Sequence, residues 1–227
     1  MTEQNAVRAS LRNAAILTVF AVLFTTLMAA TYRATLPSIR ASAEAERLKL
    51  VGEVLPAVRY DNALLADYVD VAPRAELGLA AQDDPVRLYR ARLAGAPAAL
   101  VFEAVAQDGY GGRIRLILAV GADNRLVGVR AVSHRETPGL GDYIDPKKDR
   151  NKAAPWIRQF DGKGFGEVAA TDWKVGKDGG RFDARAGATI SARAVTGATR
   201  RALQFAVEHR DKLYALPAQS VLEKPVP

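Results

Sequence analysis

The chain has 227 residues, 49% of them hydrophobic, with 32 lysines and arginines against 25 aspartates and glutamates, a formal charge of +7, two histidines and no cysteine. This suits one ordinary domain with a short extension and excludes both a disordered chain and a multi-domain machine. Without cysteine there are no disulfides, thiolate zinc sites, cysteine-ligated iron–sulfur clusters, c-type haem attachments or cysteine nucleophiles, so redox chemistry would need an organic cofactor.

The first element is an apolar run from Ala14 to Thr31, AAILTVFAVLFTTLMAAT, which carries no charge. As a helix it would be about 27 Å long, close to the roughly 30 Å of a bilayer core. The run exceeds the usual h-region of a signal peptide, and the small-residue triplet Ala41-Ser42-Ala43 lies too far beyond it for cleavage, so an uncleaved anchor is expected. Arg8 and Arg12 precede the run while Arg33 and Arg40 follow it, so charge bias discriminates little between orientations. A cytoplasmic N-terminal arm would put the rest of the chain on the periplasmic side of a Gram-negative inner membrane.

Ser38 to Ala57 mixes charged and apolar residues at helical spacing and predicts a juxtamembrane helix ending near Pro56. Arg74 to Leu100, punctuated by DDP and GAP, predicts short strands and turns. Leu100 to Ala106, Ile114 to Val120 and Leu126 to Val132 are β-rich runs split by glycine and Asp-Asn turns, an antiparallel meander. Ser133 to Asp149 is irregular, and Trp156 to Phe160 begins a short helix or strand. Ser191 to Leu213 returns to helical spacing, with Ser191 as the expected cap. The expected order is therefore an arm (1–13), a transmembrane helix (14–31), a helical linker (32–60), one α+β domain with an antiparallel sheet and packed helices (61–215) and a loose proline-rich tail (216–227).

Two segments are suited to holding a ligand. In His134-Arg135-Glu136-Thr137-Pro138-Gly139-Leu140-Gly141-Asp142, Gly139 and Gly141 allow backbone amides to approach a ligand, and Leu140 offers an apolar cover for a planar ring. A tight surface turn fits the same residues. His134 reads equally as a structural hydrogen-bonder, and with His209 on a distant helix there is no metal constellation. In Asp183-Ala184-Arg185-Ala186-Gly187-Ala188-Thr189-Ile190-Ser191, small residues leave the Thr189 hydroxyl open to a modifying enzyme, and the helix start that follows has free amides suited to phosphate. A polar loop capped by Ser191 is the plainer alternative. A second Gly-Ala-Thr, at Gly197-Ala198-Thr199, falls inside the helical pattern without an upstream aspartate, so Thr199 reads as an ordinary helix residue beside a glycine that admits close packing.

These residues resemble the FMN-binding domain family, and within it the G-subunit family of the Rnf electron-transport complex. The resemblance covers most of the chain: the N-terminal anchor, Gly109-Tyr110-Gly111-Gly112, the loop from His134 to Asp142, Trp156 to Lys163, and Phe182 to Val195. It rests most on the pairing of Thr-Pro-Gly-Leu-Gly with a later Asp-x-x-x-Gly-Ala-Thr. It implies FMN bound as a phosphoester to Thr189 and installed by a flavin transferase, with Asp183, Gly187 and Ala188 as the rest of the motif and Thr137, Pro138, Gly139, Leu140 and Gly141 near the flavin. Ala186 stands where many flavinylation motifs have serine or threonine.

The resemblance further implies an electron-carrying subunit of an ion-translocating oxidoreductase complex working between NADH and ferredoxin. The expected partners are the other membrane subunits, including a second FMN-bearing one. Nucleic acid is not expected, because the basic residues form no dense block interleaved with aromatics, and no metal is expected, because the two histidines are far apart and there is no cysteine. Two rivals remain at this stage: a membrane-anchored extracytoplasmic binding or regulatory domain without flavin, and a flavin reductase of an unrelated pathway.

Overall fold

The computed structural model describes residues 3–223, and these divide into two compact units between Arg47 and Leu48. Helix α1 (Glu3–Gly52) makes up the first unit and contributes its last residues to the second. The anchor and the juxtamembrane helix expected from the sequence are thus one helix, with Pro37 inside it. Proline removes a single backbone hydrogen bond, and the helix-forming alanine, leucine, glutamate and arginine on either side carry the helix through. Phe20, Leu23, Phe24, Leu27 and Met28 are exposed on it. The hydroxyls of Thr18, Thr31 and Thr35 donate to the carbonyls of Ala14, Leu27 and Thr31 at 2.9, 2.8 and 2.9 Å, so these polar groups need no water. By length and composition this helix is a candidate membrane span.

The second unit is built on a six-stranded sheet of order β5-β4-β3-β2-β1-β6. Its strands are β1 (Tyr68–Val71), β2 (Val86–Leu93), β3 (Ala96–Gly109), β4 (Gly112–Gly121), β5 (Leu126–Ser133) and β6 (Ser220–Leu222). Strands β1 to β5 pair antiparallel in sequence order, as the expected meander requires, whereas β6 pairs parallel with β1. The tail is therefore not loose over Ser220–Leu222. It closes the edge of β1, and buried Arg74 holds the carbonyls of Leu222 and Glu223 at 3.2 and 3.1 Å.

Alternation along the strands buries both faces of the sheet. Leu100, Phe102, Leu116 and Leu118 point into a core shared with Ala194, Val195, Ala198, Ala202 and Phe205 of α2 (Thr189–Ala215). Their neighbours Ala99, Val101, Ile117 and Ala119 face the other way and are covered by Val51, Val54, Leu55 and Leu64. The domain therefore begins at Leu48 and not at residue 61, because the end of α1 and the segment after it supply one of its two layers. An aromatic cluster of Trp156, Phe160, Trp173 and Phe182 extends the α2-side core, with Phe160 and Phe182 centroids 4.7 Å apart. Arg90, 2% exposed, fixes the end of α2 to β2: its guanidinium donates to the carbonyls of Leu213 (2.8 Å) and Leu216 (2.5 Å) and pairs with Asp67.

Candidate functional site

The two loops singled out in the sequence meet at the start of α2. Residues 137–141 and 187–191 face each other across a cleft of about 220 Å³, which the β3–β4 turn joins through Tyr110. Thr137, Leu140 and Gly141 line one side, and Gly187, Ala188, Ile190 and Ser191 the other. Thr189, half-buried, is the first residue of α2 and sits between two of these lining residues. Pro138 and Gly139 are exposed in the loop but do not line the cleft. Asp183 does not line it either. Its carbonyl accepts from the Trp156 indole and its amide donates to Gln159, each at 2.7 Å, so what the structure uses of this residue is its backbone.

Local geometry explains both loops. The Thr137 carbonyl accepts the amides of Leu140 and Gly141 at 3.1 Å, and the Gly139 amide donates to Asp142 at 2.9 Å with φ at +76°. Gly141 is a matter of space: a Cβ there would lie 2.6 Å from Ser191 Oγ and 2.8 Å from Glu136 Oε2. In the other loop, Ala188 N–H closes a turn onto the Arg185 carbonyl at 3.1 Å, and Gly187 takes φ of +82° just before the helix.

The expected cap, Ser191, lies inside the first turn of α2. The cap position is Ala188, and no side chain satisfies the first amides of the helix. Ser191 does not cap because its hydroxyl is committed elsewhere: it donates to the Glu136 carboxylate. Glu136, 4% exposed, also accepts the Gly111 amide at 2.9 Å. One buried carboxylate therefore joins the β3–β4 turn, the loop after β5 and the start of α2. The sequence did not single it out, and nothing local marks it, since its partners lie 25 and 55 residues away. His134 serves this arrangement as a hydrogen-bonder, with Nδ1 accepting the Glu136 amide at 3.2 Å. No metal-binding cluster of three or more histidine, cysteine, aspartate or glutamate side chains occurs among the described residues.

Asp149 anchors the segment before Thr189. Burial pushes its carboxyl up, but the amides of Trp156 (2.7 Å) and Asn151 (2.9 Å) and the Arg185 guanidinium outweigh that and hold it below the usual carboxylate range. Arg185 lies over the Tyr143 ring at 4.6 Å. The Tyr143 hydroxyl, pushed up mainly by burial, donates to the Ala188 carbonyl and accepts the Arg185 amide, each at 3.3 Å. Thr189 thus projects from a braced turn. Thr199 is fully buried, and its hydroxyl has no partner among the described residues.

The site suits FMN on three observations: uncapped helix amides for a phosphate, glycines that let backbone approach, and the exposed apolar side chains Tyr110, Leu140 and Ile190 around the cleft. At about 220 Å³ the cleft is smaller than the roughly 300–1,000 Å³ of pockets that enclose a small molecule, so a flavin here would keep part of its ring in the open.

An FMN-binding domain model matches residues 109–204, which includes every residue lining the cleft, and an RnfG N-terminal region model matches residues 1–54. The G subunit of the ion-translocating oxidoreductase complex of Pseudomonas aeruginosa (strain UCBPP-PA14) is 42% identical over 208 residues, covering 92% of this chain and 94% of that protein. The chain belongs to this G-subunit family. Relatives of the same name in Vibrio cholerae (serotype O1, strain ATCC 39541) and Shewanella loihica are 37% and 36% identical, over 91% and 93% of this chain and 94% and 96% of their own length. The RnfG N-terminal match stops within two residues of the end of α1, so it covers the candidate span and its continuation into the domain.

Proposed function

We propose that the chain is a membrane-anchored flavoprotein subunit that relays electrons through FMN carried as a phosphoester on Thr189, within an Rnf-type complex that couples NADH/ferredoxin electron transfer to ion translocation. Membership of the G-subunit family and the FMN-binding domain match support the flavoprotein reading. The observation that carries the attachment point is the contrast between two threonines: Thr189 is half-buried at an uncapped helix start beside the cleft, while Thr199 is 0% exposed. A transferase can reach only the first.

FMN supplies one- and two-electron chemistry when bound. The protein's part is placement. The first amides of α2 and its dipole would hold the phosphate; Tyr110, Leu140 and Ile190 would give the ring an apolar contact; Glu136 fixes the loops on either side. No acid–base group is required. Because the cleft is shallow, it would leave a bound flavin accessible to redox partners, which on this reading include a second FMN-bearing subunit. Maturation needs a flavin transferase, α1 is the inner-membrane anchor, and the domain is periplasmic.

The test is in-gel fluorescence and intact mass of protein co-expressed with a flavin transferase, comparing wild type, Thr189→Val and Thr199→Val. Fluorescence and an added FMN mass should vanish only in Thr189→Val. Loss in Thr199→Val alone would move the site, and a wild type that stays colourless beside an active transferase would refute the flavoprotein. The side of the membrane is tested on the cysteine-free chain with a single reporter, Ala218→Cys, which an impermeant thiol reagent should label in intact spheroplasts.

A further inference from the structure

A second cavity, of about 540 Å³, lies between α2 and the segment 170–178, and the flavin reading makes no use of it. Its lining includes buried Trp173 and Val175, and around them stand Lys174, Arg193 and Arg200 against one carboxylate, Asp178. Arg193 already holds Asp178 through two hydrogen bonds of 2.6 Å. Lys174 and Arg200 have no carboxylate within salt-bridge distance among the described residues, which leaves two cations in excess on the groove once Arg193 and Asp178 are paired.

The α2 wall of the groove is the row Arg193, Thr196, Gly197, Arg200, whose spacing sets these residues on one helix face. Glycine inside a helix is less stable than alanine and needs a reason. The domain supplies none: a Cβ at Gly197 would meet only Arg201 Nη1, at 3.5 Å, an ordinary contact. Gly141 and Gly180 differ, since a Cβ there would fall within 2.6 Å and 2.0 Å of neighbouring atoms. The notch at Gly197 is thus open to the outside. Beside it Thr196, 1% exposed, keeps a hydroxyl without a partner among the described residues.

We propose that this groove receives an acidic segment of a neighbouring subunit, its carboxylates meeting Lys174 and Arg200 and an apolar side chain entering the notch at Gly197. The proposal rests on the chain being a subunit of a larger complex. An apolar floor inside a polar rim is the anatomy of a protein interface. A bilayer surface would instead be met by cationic side chains standing clear of the fold, not by a concavity.

The experiment uses the full chain, co-expressed in membranes with the other subunits and the transferase, with a photo-crosslinking amino acid in place of Thr171, an exposed residue of the groove. Illumination should give an adduct with one other subunit. The adduct should fall at least about fivefold at high salt and in the double variant Lys174→Glu/Arg200→Glu, as expected for exposed charges. Gly197→Leu, which fills the notch with a better helix former, should abolish it while covalent flavin fluorescence stays at the wild-type level.

An adduct unchanged by charge reversal, an adduct with lipid only, or no adduct in a complex that still co-purifies and fluoresces would overturn the proposal. A wild type that neither co-purifies with other subunits nor carries flavin would overturn the functional reading, and this inference with it.

Discussion

Replacing Glu136 with alanine tests whether the buried carboxylate holds the cleft together. In Glu136→Ala the Ser191 hydroxyl, on a residue 1% exposed, loses its acceptor where water does not reach, at about 1–3 kcal/mol. The Gly111 amide also loses its acceptor, but Gly111 is exposed and water replaces the bond, so this adds little. The side-chain methylene lost from the buried site adds about 0.8 kcal/mol. The sum is about 3 kcal/mol, which in a domain of this size lowers Tm by about 6–12 °C. Thermal unfolding followed by tryptophan fluorescence in detergent isolates the domain, because the chain's two tryptophans, Trp156 and Trp173, are both buried in it. Glu136→Gln keeps an oxygen for Gly111 and a polar group for Ser191, so it should recover most of the loss. A fall of less than about 2 °C in Glu136→Ala would refute the reasoning.

Arg90→Ala should cost about 3–5 kcal/mol, because it leaves the Leu213 and Leu216 carbonyls without their donor and removes the buried guanidinium that pairs with Asp67. Arg92 still pairs with Asp67, so the lower end of that range is expected, and an unchanged melting curve would refute the anchoring role of Arg90. Asp149 is held below its unfolded value, so its contribution is present above about pH 3.9 and is lost as pH falls through its lower folded value. Asp149→Asn should therefore melt below wild type at pH 7, with the gap closing below about pH 4; a gap constant from pH 7 to pH 3 would contradict this. Tyr214 runs the other way, its hydroxyl pushed up to about 12 mainly by burial against the carbonyls of Ala91 and Ala99. The domain should lose stability between about pH 10 and 12, and Tyr214→Phe should flatten that slope.

How much of this was legible depended on how local each cause is. Strands β3 to β5 and helix α2 follow from alternation, from helical spacing and from glycine and Asp-Asn turns, all contained in short windows of chain. The pairing of the Thr137–Gly141 loop with the Gly187–Thr189 turn was legible only through family resemblance, since no periodicity carries a contact between segments so far apart. Strands β1 and β6 are too short, at 4 and 3 residues, to show a pattern, and β6 is defined only by its parallel pairing with the distant β1. The apolar run and the charged helical segment after it read as two elements because their composition changes, yet the helix runs through Pro37, where one missing hydrogen bond does not outweigh two strong helical flanks. Glu136 escaped notice because a single carboxylate in a turn-rich loop looks like solvent-exposed charge until the fold brings Gly111 and Ser191 to it.

Strand β6 is made after every other element of the sheet, yet it lies at the sheet's outer limit. Until Leu222 has been made, β1 presents a row of free amides and carbonyls, the template on which another chain's strand could add. A version of the protein cut just after α2 would lose Leu222 from the α2-side core, keep the other core's residues and those of the cleft, and be sticky. Its defect would show as self-association, with the colour of any bound flavin intact.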